Sequence, residues 1–371
     1  MNPICNIVGA RPNFIKMAPI VMALKRRGVP HRLVHTGQHY DASMSNVFFE
    51  ELQMPAPDVY LGVGSGTHAQ QTARVMVAIE EECLRHKPPL IVVAGDVNST
   101  AASAMAAAKL GIPVAHVEAG LRSFDRTMPE ELNRIVTDHL SDLLFTTEES
   151  GNRNLRCEGI PKENVRFTGN CMVDSLRRHE EEAVRRRPWE QFGVEERHYA
   201  LLTLHRPWNV DTEVRLEKLV EFARKISTRL PLLFPVHPRT RQRMINMGAA
   251  MPTSCQLLEP LPYLTFLGLM ARAQVVLTDS GGIQEETTAL QVPCLTLRAN
   301  TERPSTVEIG TNELVADDLD RACRLVEQVA RGGWKKGRVP PLWDGHAAER
   351  VVADIESFLD EGQKRRIASA A

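Results

Sequence analysis

Across its 371 residues the chain has no C-x-x-C pair, no apolar run approaching the ~18 residues of a membrane-spanning helix, and no excess of either charge. The seven cysteines (Cys5, Cys83, Cys157, Cys171, Cys255, Cys294, Cys323) are scattered and odd in number. That usage argues against a disulfide framework or a thiolate zinc site and suits a reducing cytoplasm. Lys and Arg total 45 against 46 for Asp and Glu, so the one-sided field that nucleic acid or a membrane surface would require is missing. Any ligand must be recognised locally. The first residues enter a strand-like run almost at once, with no basic stretch ahead of a long apolar core, so neither secretion nor a membrane span is expected. His35, His39 and Asp41 do not stand at metal-ligand spacing, and no metal or cofactor is expected.

What the chain does have is 43% hydrophobic residues, enough to fill two cores at this length. Short apolar runs alternate with helix-period segments, the pattern of α/β domains with parallel sheets covered on both faces. The strand candidates are 4–8, 31–35, 90–94, 114–117, 143–146 and 165–168, then 199–204, 232–236, 256–258, 275–278, 294–297 and 313–315. Phe14, Met17, Ala18, Val21 and Leu24 form one apolar stripe of a helix ended by Gly28. Thr67-His68-Ala69-Gln70 reads as a capping box opening a helix to about His86. Gly62 to Gly66 lacks the full G-x-G-x-x-G spacing and no strand-like run leads into it, so a nicotinamide site is not expected there. The charged helical stretch from Asp174 to Arg187, followed by Pro188-Trp189, marks the hinge between two doubly wound domains of similar size, with a central cleft at the carboxyl ends of both sheets. A last helix runs from Ala347 to about Phe358, with Val351, Val352, Ile355 and Phe358 on one face.

Thr278 to Glu286 (TDSGGIQEE) follows the apolar run 275–277 and reads as strand, tight turn and helix start. Ser280, Gly281 and Gly282 would present backbone N–H groups and the positive end of a helix dipole to a phosphate, and Glu286, about one turn on, could accept from sugar hydroxyls. An ordinary strand-to-helix turn is the plainer alternative. A second, basic turn, Gly9 to Lys16, also follows a strand-like run, and together the two suggest a shared ligand.

Other polar residues stand directly after strands. Asp96 and Glu118 each end one, Glu130 and Glu131 open a helix introduced by Pro129, and His205-Arg206 and His237 follow two more. A single strand-end acid is more often a cap than a catalyst, but several acids alongside Arg11, Lys16 and Arg303 suit proton transfer beside a phosphorylated substrate.

The motifs GARPNFIKMAP (9–19), GDVNST (95–100), HVEAGLR (116–122), PEELNR (129–134), His205-Arg206, TDSGGIQEE (278–286) and TERP (301–304) resemble, in order, those of the non-hydrolysing UDP-N-acetylglucosamine 2-epimerases. The resemblance spans nearly the whole chain. It implies a GT-B-type fold of two Rossmann-like domains, a homodimer, and a C-terminal helix returning to the N-terminal domain, hence domains at 1–172 plus 350–371 and at 173–349. It also implies catalytic roles for Asp96, Glu118, Glu130 and His205. UDP contacts would come from Arg11, Lys16, Phe266, Ser280, Gly281, Gly282, Glu286 and Arg303. Leu261 stands where many members have a uracil-contacting glutamine. The chain differs at 40–46 and 207–209 from bacterial members that bind a second, activating substrate molecule there.

The family mechanism is anti elimination of UDP to 2-acetamidoglucal, then re-addition with proton delivery to the opposite face of C2. Base and acid among Asp96, Glu118 and Glu130 stay unassigned. The alternatives are a 2-epimerase acting on UDP-2,3-diacetamido-2,3-dideoxy-glucuronate, suggested by the 37–49 segment, a hydrolysing relative releasing UDP and N-acetylmannosamine, and a glycosyltransferase or UDP-sugar-binding module of the same fold.

Overall fold

The computed structural model describes residues 2–38, 49, 51–210, 212–236, 238–248 and 251–370, of which Arg11, Pro207, Trp208, Pro238, Arg239 and 363–370 are described as backbone only. It divides into two compact units, Met1–Ser175 with Pro341–Ala371, and Leu176–Pro340. Among the described residues no helix is long and apolar enough to cross a membrane. His237, His39 and the 40–46 departure lie outside the described residues.

In the first unit, strands β1 (Ile4–Val8), β2 (His31–His35), β3 (Val59–Tyr60), β4 (Ile91–Ala94), β5 (Val114–Ala119), β6 (Leu143–Thr146) and β7 (Val165–Phe167) form one parallel sheet in the order β3-β2-β1-β4-β5-β6-β7. Between them run α1 (Arg11–Arg26), α2 (His68–His86), α3 (Asn98–Lys109), α4 (Pro129–Leu140) and α5 (Glu149–Cys157). β1 and β4 are buried along their whole length, which is why they read as unbroken apolar runs rather than alternating ones. The capping box forms as expected: Gln70 N–H donates to Thr67 Oγ1 at 3.3 Å, and Thr67 N–H to Gln70 Oε1 at 3.3 Å. One expectation fails here. A strand, β3, does lead into the Gly62 segment, but it is two residues long at the sheet edge with Tyr60 exposed, too short to leave a pattern.

The boundary between the units falls inside α6 (Cys171–Arg185). The second unit continues with α7 (Pro188–Gln191), β8 (Ala200–Thr203), α8 (Pro207–Val210), α9 (Glu213–Ser227), β9 (Leu232–Pro235), α10 (Pro238–Asn246), β10 (Cys255–Leu258), α11 (Tyr263–Ala271), β11 (Val275–Thr278), α12 (Gly281–Leu290), β12 (Cys294–Thr296), α13 (Pro304–Glu308), β13 (Asn312–Leu314) and α14 (Leu319–Ala330). Its sheet is parallel in the order β10-β9-β8-β11-β12-β13. Both sheets wind outward in opposite directions from a central pair, β1/β4 in one and β8/β11 in the other. At such a switch point the two flanking loops diverge and leave a crevice at the carboxyl ends, where open α/β sheets bind ligands. The Gly9 and Asp96 segments flank the first switch point, and His205 and Ser280 flank the second.

The last helix, α15 (Ala347–Ala370), belongs to the first unit and packs on α1. It runs past the expected end near Phe358, because no proline follows and the lone Gly362 does not stop it. Its inner stripe is Val351, Val352, Ile355 and Leu359, one turn on from Ile355, while Phe358 is only half-buried. The exposed pairs Arg26–Glu349 at 3.2 Å and Arg27–Glu356 at 2.5 Å add little, so apolar burial holds the helix. Its start is fixed by buried Asp174, whose two oxygens accept from Ala347 N–H at 3.1 Å and Ala348 N–H at 2.7 Å. Nearby, Trp343 is buried and donates to the Thr147 carbonyl at 2.8 Å. Removing a carboxylate that serves two orphan helix amides costs about 1–2 kcal/mol. Asp174→Ala should therefore lower the midpoint of urea unfolding measurably, with loss of Trp343 burial seen by fluorescence; an unchanged midpoint would show that α15 docks without this cap.

Candidate functional site

The first unit gathers its polar side chains where β1, β4 and β5 end. Asn13, in the first turn of α1, accepts at Oδ1 from the amides of Gly9 (3.3 Å) and Ala10 (3.2 Å) and donates to the Ala94 carbonyl at 2.7 Å. It thereby ties the basic turn to the end of β4. Lys16, one turn further on, is buried and forms a 2.6 Å ion pair with Glu118 Oε1. Glu118 is buried too, and its backbone has φ +72° at a register irregularity between Val117 and Ala119 in the β5/β6 pairing. For a non-glycine residue this conformation costs roughly 1–3 kcal/mol, and such bulges re-aim a side chain. Gly95 has φ +66°, and a Cβ there would lie 2.9 Å from Lys16 Nζ. The ammonium thus rests against the backbone immediately before Asp96 while it holds Glu118.

Asp96 is partly exposed and is gripped by α4. Arg134 Nη2 donates to its Oδ2 at 2.5 Å, and Asn133 Nδ2 to its backbone carbonyl at 2.9 Å. The structure separates the two glutamates of the α4 start. Glu131 is buried, accepts from the amides of Ser123 and Phe124 and from Ser123 Oγ, all at 2.9 Å, and pairs with Arg134. Its role is to hold the loop before the helix. Glu130, beside it, is half-buried.

Beneath this surface lies a cluster that sequence reasoning did not assemble. His116, fully buried, places Nδ1 2.7 Å from Asp138 Oδ1 and Nε2 2.8 Å from the Gly95 carbonyl. Asp138 Oδ2 also takes Arg122 Nη1 at 2.7 Å and the Gly120 amide at 3.1 Å. Burial alone would raise the Asp138 carboxyl, but His116 and Arg122 together hold it below the ordinary range. His116 and Arg122 stand in the HVEAGLR segment, while Asp138, 22 residues beyond His116, carries no local signal.

In the second unit, Ser280 is the N-cap residue of α12 and its side chain makes no cap bond. Its own amide donates to Thr278 Oγ1 at 3.0 Å, whereas Gly281 and Gly282 open the helix with amides that have no intrahelical acceptor. Arg303 is buried directly under this turn: a Cβ on Gly281 would lie 2.5 Å from its Nη1. Arg303 pairs with Glu285 (2.9 Å) and Glu302 (2.6 Å), so part of its charge is spent within the fold. Glu286 is buried on the same helix and accepts from Tyr263 Oη at 3.4 Å, while Phe266, half-buried, lies on α11, which packs on α12. The side chain of Arg11 lies outside the described side chains.

His205 follows β8 with its side chain 55% exposed, and its Nδ1 sits 2.9 Å from Asp279 Oδ1. Asp279 is fully buried and also accepts from the amides of His205 (3.1 Å) and Arg206 (3.0 Å) and from Asn209 Nδ2 (3.0 Å). It is the anchor of this turn, 74 residues from His205 in sequence, and its place in TDSGG does not disclose that role. Among the described residues no cluster of three His, Cys, Asp or Glu side chains could hold a metal ion.

Burial would raise the Asp279 carboxyl, but the His205 and Asn209 contacts hold it below its ordinary value of 3.8, as His116 and Arg122 do for Asp138. An acid depressed in the folded state contributes stability that is complete above its unfolded pKa and lost as pH falls through the folded one. Unfolding by urea should therefore become easier as pH drops below ~4, and Asp279→Asn should be less stable at pH 7 yet show a shallower acid decline. An acid decline identical to that of the unmodified chain would exclude Asp279 from this linkage.

A model of the UDP-N-acetylglucosamine 2-epimerase family matches residues 22–356. The chain is 43% identical over 357 residues to the UDP-N-acetylglucosamine 2-epimerase of Methanocaldococcus jannaschii, covering 93% of this chain and 96% of that protein. It is 41% identical over 322 residues to the UDP-2,3-diacetamido-2,3-dideoxy-D-glucuronate 2-epimerase of Pseudomonas aeruginosa, covering 85% and 89% respectively. The crystal structure of the M. jannaschii enzyme in complex with UDP-GlcNAc and UDP matches with a TM-score of 0.87 at 41% identity, over 96% of this chain and 99% of that one. With a family model spanning most of its length and relatives this similar from end to end, the chain belongs to the UDP-N-acetylglucosamine 2-epimerase family.

Proposed function

We propose that this chain inverts C2 of UDP-N-acetylglucosamine to give UDP-N-acetylmannosamine, by anti elimination of UDP and re-addition to 2-acetamidoglucal. The hydrogen at C2 is not acidic, and its removal alone would leave a high-energy carbanion. When the C1–O bond to UDP breaks as the proton leaves, the C2–H electron pair becomes the C1=C2 double bond and UDP departs with the C1–O pair. In the return step a proton reaches the opposite face of C2 and the UDP oxygen rebonds to C1, so atoms balance over the cycle. Two proton-handling groups are needed, and Asp96, Glu118 and Glu130 are the candidates, with His205 as a further active-site group. Ser280, Gly281 and Gly282 would receive the diphosphate at the start of α12, with Arg11, Lys16 and Arg303 adding positive charge, Phe266 meeting the uracil and Glu286 the ribose.

The observation that carries this reading is the buried Lys16–Glu118 pair on a strained strand end, beside Arg134-held Asp96, in a chain of this family. A fold that only bound a UDP-sugar would not need Glu118 in a conformation of this cost. A specific observation keeps a second substrate in view: the 41% identical P. aeruginosa relative acts, by its name, on UDP-2,3-diacetamido-2,3-dideoxy-D-glucuronate. We further propose a homodimer in the cytoplasm, a compartment that suits the seven free cysteines.

Incubated with UDP-N-acetylglucosamine in heavy water, the protein should return intact nucleotide sugar deuterated at C2. Free N-acetylmannosamine with UDP would instead mark a hydrolase, no exchange without an acceptor would mark a transferase, and exchange confined to the diacetamido-glucuronate would mark the second substrate. Asp96→Asn and Glu118→Gln should each lower kcat by about 100-fold or more. Wild-type turnover in either variant would remove that residue from the chemistry.

A further inference from the structure

Asp96 is held through its backbone as well as its carboxylate, and the backbone contact is the end of a longer chain of side chains. Asn133 Nδ2 donates to the Asp96 carbonyl at 2.9 Å and to Asn98 Oδ1 at 3.1 Å. Asn98 Nδ2 donates to Gln71 Oε1 at 2.9 Å, and Gln71 Nε2 donates to the Gln38 carbonyl at 3.0 Å and to the Gly64 carbonyl at 3.2 Å. Gln38 Oε1 in turn accepts from the Ser99 amide at 3.0 Å and from Ser99 Oγ at 2.7 Å. Asn98, Gln71, Gln38 and Ser99 are all buried. Asn133, Asn98 and Gln71 donate in one direction along a series that ends on the Gln38 backbone carbonyl, so flipping any one of the three would set donor against donor or leave a carbonyl unmet.

The ties come from three places: α4 supplies Asn133, the first turn of α3 supplies Asn98, and α2 supplies Gln71. Asp96 lies in the short link between β4 and α3, with Gly95 at φ +66° just before it, a link that by itself does little to fix a peptide plane. Arg134 orients the carboxylate, but a long side chain that also serves Glu131 does not set where the Asp96 backbone lies. Asn133 does that at a second atom.

We propose that Asn133, backed by Asn98 and Gln71, is a positioning residue for the reaction: it acts through Asp96, fixing the peptide from which the carboxylate projects, and does not itself touch substrate. The inference rests on the role for Asp96 proposed above. A reacting group displaced by about 1 Å loses up to ~100-fold in rate, so the effect should fall on the chemical step. Asn133→Ala should lower kcat about 10- to 100-fold for UDP-N-acetylglucosamine while KM stays within about threefold and the melting temperature within about 4 °C. The near-isosteric Asn133→Asp, which keeps the volume and loses both donors, should be impaired at least as much. In both, the acid limb of the kcat–pH profile should shift, since the surroundings of the Asp96 carboxylate change.

An unchanged kcat in Asn133→Ala, wild-type behaviour of Asn133→Asp, or parallel losses of kcat and melting temperature with an unmoved pH profile would each overturn the proposal. Asp96→Asn, measured alongside, tests the underlying reading separately. An inactive Asp96→Asn beside an undiminished Asn133→Ala would retire the positioning role alone. Wild-type turnover in Asp96→Asn would retire the reading and the proposal together.

Discussion

The buried pair between Lys16 and Glu118 is the contact around which the first unit is organised. Removing both charges from water is expensive, and the pair persists because the ammonium and carboxylate meet at 2.6 Å with nearly all solvent excluded. Three features of the chain serve that meeting. Asn13 stitches the Gly9 turn to β4 and so sets where α1, and Lys16 on it, begins. Gly95 leaves room for the ammonium. The irregular end of β5 turns Glu118 out of its strand register into positive φ, a strain the surrounding sheet must overcome.

Four acids near the ends of these strands differ in what the fold asks of them. Asp138 and Glu131 are buried among several donors each, and both support loops: Asp138 with His116 under Gly95, Glu131 under Ser123 and Phe124. Asp96 keeps partial exposure and Glu118 is strained. A carboxylate whose oxygens are taken up by amides and guanidinium within the fold has little left to offer a substrate. By that criterion Glu131 is structural, although it neighbours Glu130 in the same helical turn. The second unit repeats the division, with Asp279 buried as an anchor and His205 exposed upon it.

Much of this was legible in the sequence because it is local. A buried parallel strand shows as an apolar run, Thr67 and Gln70 cap a helix within one turn, and Pro129 announces α4. The motifs from Gly9 to Pro304 were enough to identify the family. What stayed hidden depends on partners far apart in sequence. Nothing within several residues of Asp279 shows that it holds His205, nothing near Asp138 shows His116, and Asn133 reads as a helix surface residue until the fold brings Asp96 and Asn98 against it. β3 leaves no signal because two residues have no period, and α15 continues past Phe358 because a single glycine does not stop a helix whose apolar stripe continues at Leu359.

In the proposed reaction Glu118 would act from the position that Lys16 and its strained backbone impose. The most direct test is the rate of deuterium entry at C2 of UDP-N-acetylglucosamine catalysed by Glu118→Asp, which keeps the charge and withdraws the carboxylate by one methylene. The rate should fall about 100-fold or more in protein shown by circular dichroism to be folded at the assay temperature. Deuterium entry at the wild-type rate would contradict it.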